Sequence, residues 1–399
     1  MSVLPHTTEV VVIGGGIVGC STAYYLSKAG VDVVVIEKSW LGSGASCANQ
    51  GVVGPYMAPP PIFELMLKSL KMYWELSREL RHDIGLERVG MVIPAITEVE
   101  VQVLEEHSTA LRRSGGAPKI LDGNELRELD PTFSKDIAVA QVSEEDCMVD
   151  PIKVVFAYAR AASELGARII RFTEVRGIKV SGGSVKAVIT DRGEVRTDYV
   201  VNAAGAWAPI VGKMIGAEVP VYPMRGHVLV TEAYKYSRFR YILDAKYIVE
   251  AFNPPTTEDF KDEFSKYKIG ASLCQHKEGN WTIGASRDAV TYDKDVSLEV
   301  VKLLMKRAVM LKPSLRHTNI IRVFTGLRPY SNRKLPIIEE LGSVEGFIVA
   351  SGHKGEGIAL APITGELVTE LITKGEVRDL LARKCYELVG EPLGKVGRR

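Results

Sequence analysis

The chain has 399 residues, of which 46% are hydrophobic and 25% are charged. This length predicts about two domains, and the composition excludes wholesale disorder. The 50 basic and 49 acidic side chains leave a net charge of +1, which gives no reason to expect nucleic acid as the main partner.

The five cysteines are scattered along the chain without a Cys-x-x-Cys pair. An odd, dispersed set fits a reducing compartment and argues against a disulfide framework or a zinc ribbon. No signal peptide is visible at the N-terminus, and no apolar run of about 18 residues predicts a transmembrane helix. We therefore expect a cytoplasmic protein without a metal site, while peripheral contact with a membrane stays open.

The N-terminal segment predicts one βαβ unit. Val10–Ile13 is a run of β-branched residues, typical of a strand that is buried on both faces of a parallel sheet. Glycines follow this strand, Ile17–Ala29 has helical spacing, and Val31–Ile36 predicts a second buried strand. This order of elements is typical of a dinucleotide-binding unit.

The glycines of this unit have the spacing of a dinucleotide fingerprint. Gly14 would permit a tight turn, Gly16 would let a pyrophosphate approach the backbone, and Gly19 would let helix and strand pack closely. The helix N-terminus would offer N–H groups to the phosphates. Glu37, 21 residues after Gly16, would bind both ribose hydroxyls and repel the phosphate of NADP. The alternative is a purely structural glycine turn.

Further elements are predicted downstream. Helical spacing marks Ile62–Arg81, Pro151–Leu165, Val300–Leu311 and Ile358–Thr373, and strand composition marks Ala167–Phe172, Val185–Thr190, Thr197–Asn202 and Phe347–Ala350. The runs spaced like an antiparallel sheet are His227–Thr231, Tyr247–Ala251 and Trp281–Gly284. Asn253–Tyr267, with paired prolines and many charges, predicts a surface insertion.

The distribution of these elements predicts an α/β fold with a discontinuous nucleotide-binding domain. Segments typical of a parallel sheet lie at both ends and in the middle of the chain. The expected nucleotide-binding domain comprises residues 1–85, 148–219 and 320–390. The expected substrate domain comprises residues 86–147 and 220–319.

Two loops favour FAD over NAD. A flavin needs protein contacts along its ribityl chain and around its ring, and the polar loop Gly42–Gly51 directly follows Glu37. Glycines in Gly352–Gly357 would expose the backbone to a flat ring, and the following helix would place positive potential at the flavin N1/O2 edge. An ordinary polar turn and an ordinary strand-to-helix loop are the alternatives.

Several motifs together carry a family resemblance. They are Val11–Gly19, Gly44–Gly51, Asn202–Trp207, Pro223–His227, Gly326–Pro329 and Gly352–Ile358. In this order they resemble the D-amino acid oxidase superfamily of FAD enzymes, in its glycine oxidase/sarcosine oxidase branch. Within that branch, the chain looks most like dehydrogenase members, namely the β subunit of dye-linked L-proline dehydrogenase and the related opine and hydroxyproline enzymes. The resemblance implies a Rossmann-like FAD-binding domain and a substrate domain with a mainly antiparallel sheet.

The resemblance also implies a reaction, in which a hydride passes from the α-carbon of an amino or imino acid to flavin N5 and leaves an imine. Arg328 matches the family arginine that grips the substrate carboxylate, with a structural salt bridge as the alternative. His227 would orient the substrate or take its proton, and a structural histidine is equally expected. Tyr247 would wall the pocket, unless it is a core tyrosine. These three are the predicted catalytic residues.

The expected cofactor contacts extend over the whole chain. They are Gly14, Gly16, Ile17, Val18, Glu37, Lys38, Ser43, Ser46, Asn49, Gln50, Gly51, Val175, Ala204, Gly205, Trp207, Gly326, Arg328, Gly352, His353, Lys354, Gly355, Glu356, Gly357 and Ile358. Lys354 and Glu356 are expected to act through their backbone rather than their side chains.

Two departures from sarcosine oxidases refine the expectation. Those oxidases carry a lysine over the flavin that promotes reaction with oxygen, and Thr282 stands at the matching position here. No cysteine lies around Gly326–Arg328 and no histidine lies in Ser39–Gly51, where relatives attach the flavin covalently. We therefore expect a dehydrogenase with non-covalent FAD.

The leading hypothesis is an FAD-dependent dehydrogenase of a small amino or imino acid, with proline as the first candidate. Its electron acceptor would be a quinone, a dye or an electron-transfer subunit. The alternatives are a glycine, sarcosine or D-amino acid oxidase that forms hydrogen peroxide, and the flavin subunit of a heteromeric dehydrogenase. A homo-oligomer and a hetero-oligomer both stay open, and a nucleotide-binding protein without catalysis would leave Arg328 unexplained.

Overall fold

The computed structural model describes residues 3–252, 262–341 and 344–394. The α-helices that it describes are α1 (Ile17–Lys28), α2 (Ile62–Glu79), α3 (Glu98–Arg113), α4 (Gly123–Leu129), α5 (Pro151–Glu164), α6 (Ala208–Lys213), α7 (Ala245–Phe252), α8 (Leu298–Leu311), α9 (Gly357–Lys374) and α10 (Leu380–Val389). None of these helices is both long and apolar enough to span a membrane.

The strands follow in chain order. They are β1 (Val10–Ile13), β2 (Val33–Glu37), β3 (Val52–Val53), β4 (Glu87–Arg88), β5 (Met91–Ala95), β6 (Lys119–Asp122), β7 (Val139–Ser143), β8 (Cys147–Met148), β9 (Arg168–Arg171), β10 (Val175–Ser181), β11 (Ser184–Thr190), β12 (Gly193–Arg196), β13 (Tyr199–Asn202), β14 (Tyr222–Ala233), β15 (Tyr241–Leu243), β16 (Ser272–Gln275), β17 (Asn280–Gly284), β18 (Asp288–Ala289), β19 (Ile320–Tyr330), β20 (Ile337–Glu340) and β21 (Phe347–Ser351).

A six-stranded sheet carries the predicted nucleotide-binding unit. Its strand order is β20-β21-β13-β1-β2-β9, and β1 lies parallel to both β13 and β2. Helices α1, α5 and α9 pack together over one face, and strands β10 to β12 contribute apolar side chains to the other. Because both faces are covered, β1 and β2 are built from consecutive buried β-branched residues.

A nine-stranded, mainly antiparallel sheet forms the second layer. Its order is β18-β14-β17-β16-β15-β5-β7-β6, and β19 pairs with β14. Trp281 and Ile283 of this sheet are fully buried in a cluster with Leu304 and Leu311 of α8. The expected combination of a parallel Rossmann-like sheet with an antiparallel sheet is confirmed.

Two predictions differ from the structure. The predicted strand Tyr247–Ala251 is wrong, because it lies in helix α7. Asp244 precedes this helix and its Oδ1 accepts the Lys246 N–H over 3.1 Å, a contact that favours a helix start. Strand β19 lies in the antiparallel sheet, on the other side of the boundary expected at residue 320.

The predicted surface insertion Asn253–Tyr267 is described only in part. Residues 253–261 of it lie outside the described residues. Ser265–Tyr267, near its end, forms a short 3₁₀ turn.

Candidate cofactor and substrate site

The turn between β1 and α1 brings the helix N-terminus to the edge of the parallel sheet. Gly14 adopts φ +111°, and a Cβ at this position would lie 2.6 Å from the Ala203 carbonyl oxygen at the end of β13. A side chain is therefore excluded here by both backbone conformation and space. The close contact places the start of α1 beside the carboxyl ends of β1 and β13, where dinucleotides bind in such sheets.

The first turn of α1 is suited to an anionic group. The Ile17 N–H donates to Ser46 Oγ over 3.0 Å, and the turn contains no acidic side chain. Gly16, at the N-cap, has no side chain to fill the space in front of the helix. Unpaired N–H groups and the positive end of the helix dipole would stabilise a pyrophosphate here.

The carboxylate of Glu37 is oriented by two backbone hydrogen bonds at the end of β2. Its Oε2 accepts the Gly15 N–H over 2.7 Å, and its Oε1 accepts the Ser39 N–H over 2.8 Å. Each carboxylate oxygen retains a further lone pair. The side chain can therefore accept two ribose hydroxyls without losing its fixed orientation.

A cavity of about 530 Å³ extends from Glu37 to Arg328, between the two large sheets. This volume is typical of a ligand site. The predicted residues that line it are Gly14, Gly16, Ile17, Val18, Glu37, Lys38, Ser43, Ser46, Asn49, Gln50, Val175, Ala204, Gly205, Trp207, Tyr247, Gly326, Arg328, His353, Lys354, Gly355, Glu356, Gly357 and Ile358. Residues from all three parts of the predicted nucleotide-binding domain thus meet in one cavity.

Three predicted residues do not line this cavity. The Gly51 N–H donates to Asn49 Oδ1 over 2.7 Å, so Gly51 shapes the loop behind the wall. Gly352 lies in the loop before His353. His227 lies on β14, outside the lining of this cavity.

Arg328 projects over a glycine of the neighbouring strand. A Cβ on Gly226 would lie 1.8 Å from Arg328 Nη1, so the guanidinium occupies the space of the missing side chain. Nη1 donates to the Ser286 carbonyl oxygen over 2.9 Å. Among the residues that the structure describes, no carboxylate forms an ion pair with Arg328, and the expected alternative of a structural salt bridge gains no support. Burial and the nearby Arg287 lower the pKa of Arg328.

Aromatic and thioether side chains surround the Arg328 end of the cavity. Tyr247 lines it from helix α7, and its ring lies 4.3 Å below the Arg287 guanidinium. Tyr241 and Met57 also line it, and the Tyr241 hydroxyl donates to Met57 Sδ over 3.5 Å. Burial raises the pKa of Tyr247, so its hydroxyl stays protonated at neutral pH. This end can exclude water around a small apolar side chain.

His227 is not brought to the cavity. It is fully buried, its Nε2 accepts the Ser297 N–H over 3.0 Å, and its Nδ1 lies 3.1 Å from Ser286 Oγ. Burial and Arg225 lower the pKa of His227 to about 4, so the ring is neutral at neutral pH. Both ring nitrogens are engaged, which favours the structural alternative for this histidine.

Thr282 lies behind Gln50 rather than in the cavity wall. Gln50 Nε2 donates to the carbonyl oxygens of Ser272 and Thr282 over 2.9 and 2.8 Å. The Thr282 hydroxyl lies 3.0 Å from His276 Nε2, and burial lowers the pKa of this histidine. Thr282, which the resemblance to sarcosine oxidases matches to their lysine, therefore presents an uncharged hydroxyl outside the cavity wall.

Two lysines lie beside Trp207, which lines the cavity. Lys38 Nζ lies 4.6 Å and Lys294 Nζ lies 5.4 Å from the centre of its ring. Tyr292 stacks on the same ring, with centroids 5.8 Å apart and planes at 22°. These side chains join the loop after β18 to the segment after β13, and the two lysines place positive charge beside the cavity.

Some lining residues were not predicted. They are Met57, Met66, Thr173, Glu174, Gly226, Tyr241, Ser272, Ala285 and Lys294, among others. Gly226 belongs to the motif Pro223–His227, so the sequence indicated that this glycine lies near the site. Thr173 and Glu174 directly precede the predicted contact Val175, and the remaining residues reach the cavity through the packing of distant segments.

Comparison with known proteins gives concordant results. The FAD dependent oxidoreductase family matches residues 9–371. The glycine oxidase of Geobacillus kaustophilus is 30% identical over 99% of this chain and 100% of its own. The hydrogen cyanide synthase subunit HcnC of Pseudomonas aeruginosa is 28% identical over 92% and 93%. The crystal structure of L-proline dehydrogenase from P. horikoshii superposes with a TM-score of 0.84 at 26% identity, over 97% of this chain and 100% of that one.

Proposed function

Because the chain belongs to the FAD dependent oxidoreductase family, we propose that it is a dehydrogenase that oxidises a small amino or imino acid, with proline as the first candidate. Relatives that are named for an amino acid substrate include a glycine oxidase and an L-proline dehydrogenase, and the enzyme class is oxidation of a CH–NH group. The observation that carries the substrate class is the Arg328 guanidinium, exposed to the cavity without a carboxylate partner among the described residues.

The residues present fit FAD. Glu37 would hold the adenosine ribose, the N-terminus of α1 the pyrophosphate, and the loop before α9 the ring. When bound, FAD supplies the hydride acceptor. We propose that it is held without a covalent bond. No cysteine lines the cavity among the residues that the structure describes, and the one predicted histidine there, His353, is buried with its Nε2 2.9 Å from Thr364 Oγ1.

The remaining side chains orient the substrate. Arg328 would bind its carboxylate through two parallel hydrogen bonds, which fixes the α-carbon against the ring. Tyr247, Tyr241 and Met57 would surround the side chain and exclude water. A compact, largely apolar substrate side chain fits this wall better than a charged one, which supports proline.

The acceptor is proposed to differ from oxygen. Thr282 replaces the lysine of the related oxidases, and its hydroxyl is held by His276 away from the cavity. The similarity to glycine oxidase and the presence of Lys354 in the cavity wall favour the second candidate, an oxidase. The similarity to a protein named as a subunit supports a third arrangement, in which this chain carries the flavin of a heteromeric enzyme.

One experiment tests the proposal. The purified protein would be titrated without oxygen with L-proline, D-proline, glycine and sarcosine while the flavin absorbance near ~450 nm is followed. We expect bleaching by proline, slow reoxidation in air, fast dye reduction and little hydrogen peroxide. Acid precipitation should leave the yellow colour in the supernatant.

The outcomes separate the candidates. Peroxide formed in proportion to substrate in air would establish the oxidase instead. A flavin that proline bleaches but that reduces no dye would indicate a missing partner chain. A protein that binds no FAD would contradict the cofactor, and a bound flavin that no amino acid bleaches would contradict the substrate class.

A further inference from the structure

Glu356 is a buried carboxylate that opens into the cavity. It directly precedes helix α9, lines the cavity, and is only 7% exposed. Among the residues that the structure describes, its carboxylate forms no ion pair and no hydrogen bond with another side chain. A buried charge without an ion-pair partner is costly, which makes this carboxylate a candidate for a role in the site.

Three positive groups lie close enough to this carboxylate to act on its charge. Arg328 approaches from β19, Arg287 from the segment after β17, and Lys354 from the same loop, and all three oppose the effect of burial on Glu356. Burial is the larger effect and raises the pKa of Glu356. The other titratable groups nearby are Tyr247, whose pKa is raised, and His353, whose pKa is lowered to about 4. Both are uncharged at neutral pH.

The loop that carries Glu356 lies against the predicted carboxylate-binding group. A Cβ on Gly355 would lie 3.9 Å from Arg328 Nε and 3.4 Å from the Tyr247 hydroxyl. In an α-amino acid the nitrogen and the carboxylate are bonded to the same carbon. A substrate whose carboxylate is bound by Arg328 therefore presents its nitrogen within reach of this loop.

The chemistry needs a proton acceptor at this place. Amino acids enter from neutral solution with a protonated nitrogen, and a protonated nitrogen has no electron pair with which to form the imine. A general base works best when its pKa lies near the operating pH, and a buried carboxylate meets that condition better than an exposed one.

We propose that Glu356 accepts the proton from the nitrogen of the substrate that Arg328 holds. The N–H bond breaks, its electron pair stays on nitrogen, and the proton forms an O–H bond on the carboxylate. The neutral amine then forms inside the cavity, next to the hydride acceptor that FAD supplies. This inference rests on the proposed function, and it gives Glu356 a side-chain role in addition to the expected backbone contact.

The test compares two substrates that differ in the basicity of their nitrogen. Flavin reduction by excess L-proline and by L-thiazolidine-4-carboxylate would be measured without oxygen across a range of pH. The ring sulfur of the second compound withdraws electrons and leaves its nitrogen largely unprotonated at neutral pH. With Glu356→Gln we expect reduction by proline to slow at least about 10²-fold at neutral pH. The rate should then rise about tenfold per pH unit.

The analogue isolates the proton transfer. Because its nitrogen needs no base, Glu356→Gln should reduce its oxidation only slightly, and Glu356→Asp should restore part of the rate with proline. Glu376→Gln, an exposed glutamate outside the cavity, should leave both substrates unaffected. Equal losses with both substrates would show that Glu356 is structural and overturn the proposal.

The unmodified enzyme gives an independent check if the variant does not fold. As the pH is lowered, the rate of flavin reduction by proline should begin to fall at a higher pH than the rate of flavin reduction by the analogue. If both rates fall at the same pH, the proposal is also overturned. An enzyme whose flavin no amino acid bleaches would instead contradict the proposed function, so the two failures are distinguishable.

Discussion

Arg328 is held where its charge can act on a ligand. Gly226 leaves space under the guanidinium, and Ser286 accepts one of its N–H groups through the backbone carbonyl. The remaining N–H groups have no carboxylate partner among the described residues. A half-buried cation with a fixed orientation can bind a carboxylate with little further ordering cost.

Arg328→Ala should raise KM for the amino acid sharply and cost about 3–4 kcal/mol in kcat/KM, because the orienting charge is lost. Steady-state dye reduction measures both constants. Arg322→Ala is the matched control, since Arg322 lies on the same strand with an exposed side chain outside the cavity. Unchanged kinetics with Arg328→Ala would remove this residue from the site.

At the scale of elements, the segment after β17 joins the two sheets. We call residues 288–297 the strap. Arg225 of β14 forms ion pairs with Asp288 and Asp293 of the strap. His227 of the same strand accepts the Ser297 N–H. The motif Pro223–His227 therefore anchors the strap. This structural role accounts for His227 without a part in catalysis.

The strap reaches the parallel sheet through Tyr292, whose ring stacks on Trp207 and whose hydroxyl donates to the Ala206 carbonyl oxygen over 3.3 Å. Such a stack contributes about 0.5–1.5 kcal/mol beyond the buried area. Trp207 lines the cavity, and the stack with Tyr292 fixes its ring. Tyr292→Ala should therefore weaken FAD binding several-fold. Flavin fluorescence, followed while apoprotein is titrated with FAD, measures this affinity. Tyr292→Phe, which retains the stack, should bind almost normally.

Tyr236→Ala serves as the control for this pair, because Tyr236 is exposed and lies outside the strap. An FAD affinity that is the same in Tyr292→Ala and the unmodified protein would show that the strap does not hold the cofactor.

Regular elements were predictable and irregular contacts were not. Strand β1 and helix α1 carry clear periodicities, and the glycine spacing predicted the turn before α1, which lines the cavity. Tyr247 was misplaced on a strand because a short apolar run fits both a strand and a buried helix. The strap has no periodicity, and its contact with Trp207 depends on how the sheets pack. Sequence patterns do not encode such contacts directly.

At the scale of the whole molecule, one buried carboxylate links folding to pH. Asp146 is fully buried, and burial raises its pKa to about 7 from an ordinary value of 3.8. Its Oδ1 accepts the Tyr56 N–H over 3.3 Å and its Oδ2 bonds with the Ser143 hydroxyl. Between these two pKa values the folded chain binds more protons than the unfolded chain, so stability falls as pH rises through that window.

Asp146→Asn should flatten this dependence, because the amide retains an acceptor and a donor but does not ionise. Urea unfolding at about pH 5 and about pH 8 measures it: the unmodified protein should lose more stability between the two than the variant. Glu144→Gln, an exposed neighbouring carboxylate, should change little. If Asp146→Asn and the unmodified protein lose the same free energy of unfolding between the two pH values, the expectation is contradicted.

The position of the cavity between the two large sheets has a consequence for protein turnover. A chain without FAD leaves this space open and loses the contacts that both sheets would make with the cofactor. Free FAD at 1,000 times its Kd would add about 4 kcal/mol to the stability of the folded chain. Cellular proteases remove chains in proportion to the time they spend unfolded. The abundance of this enzyme should therefore follow the riboflavin supply of the cell, even at constant synthesis.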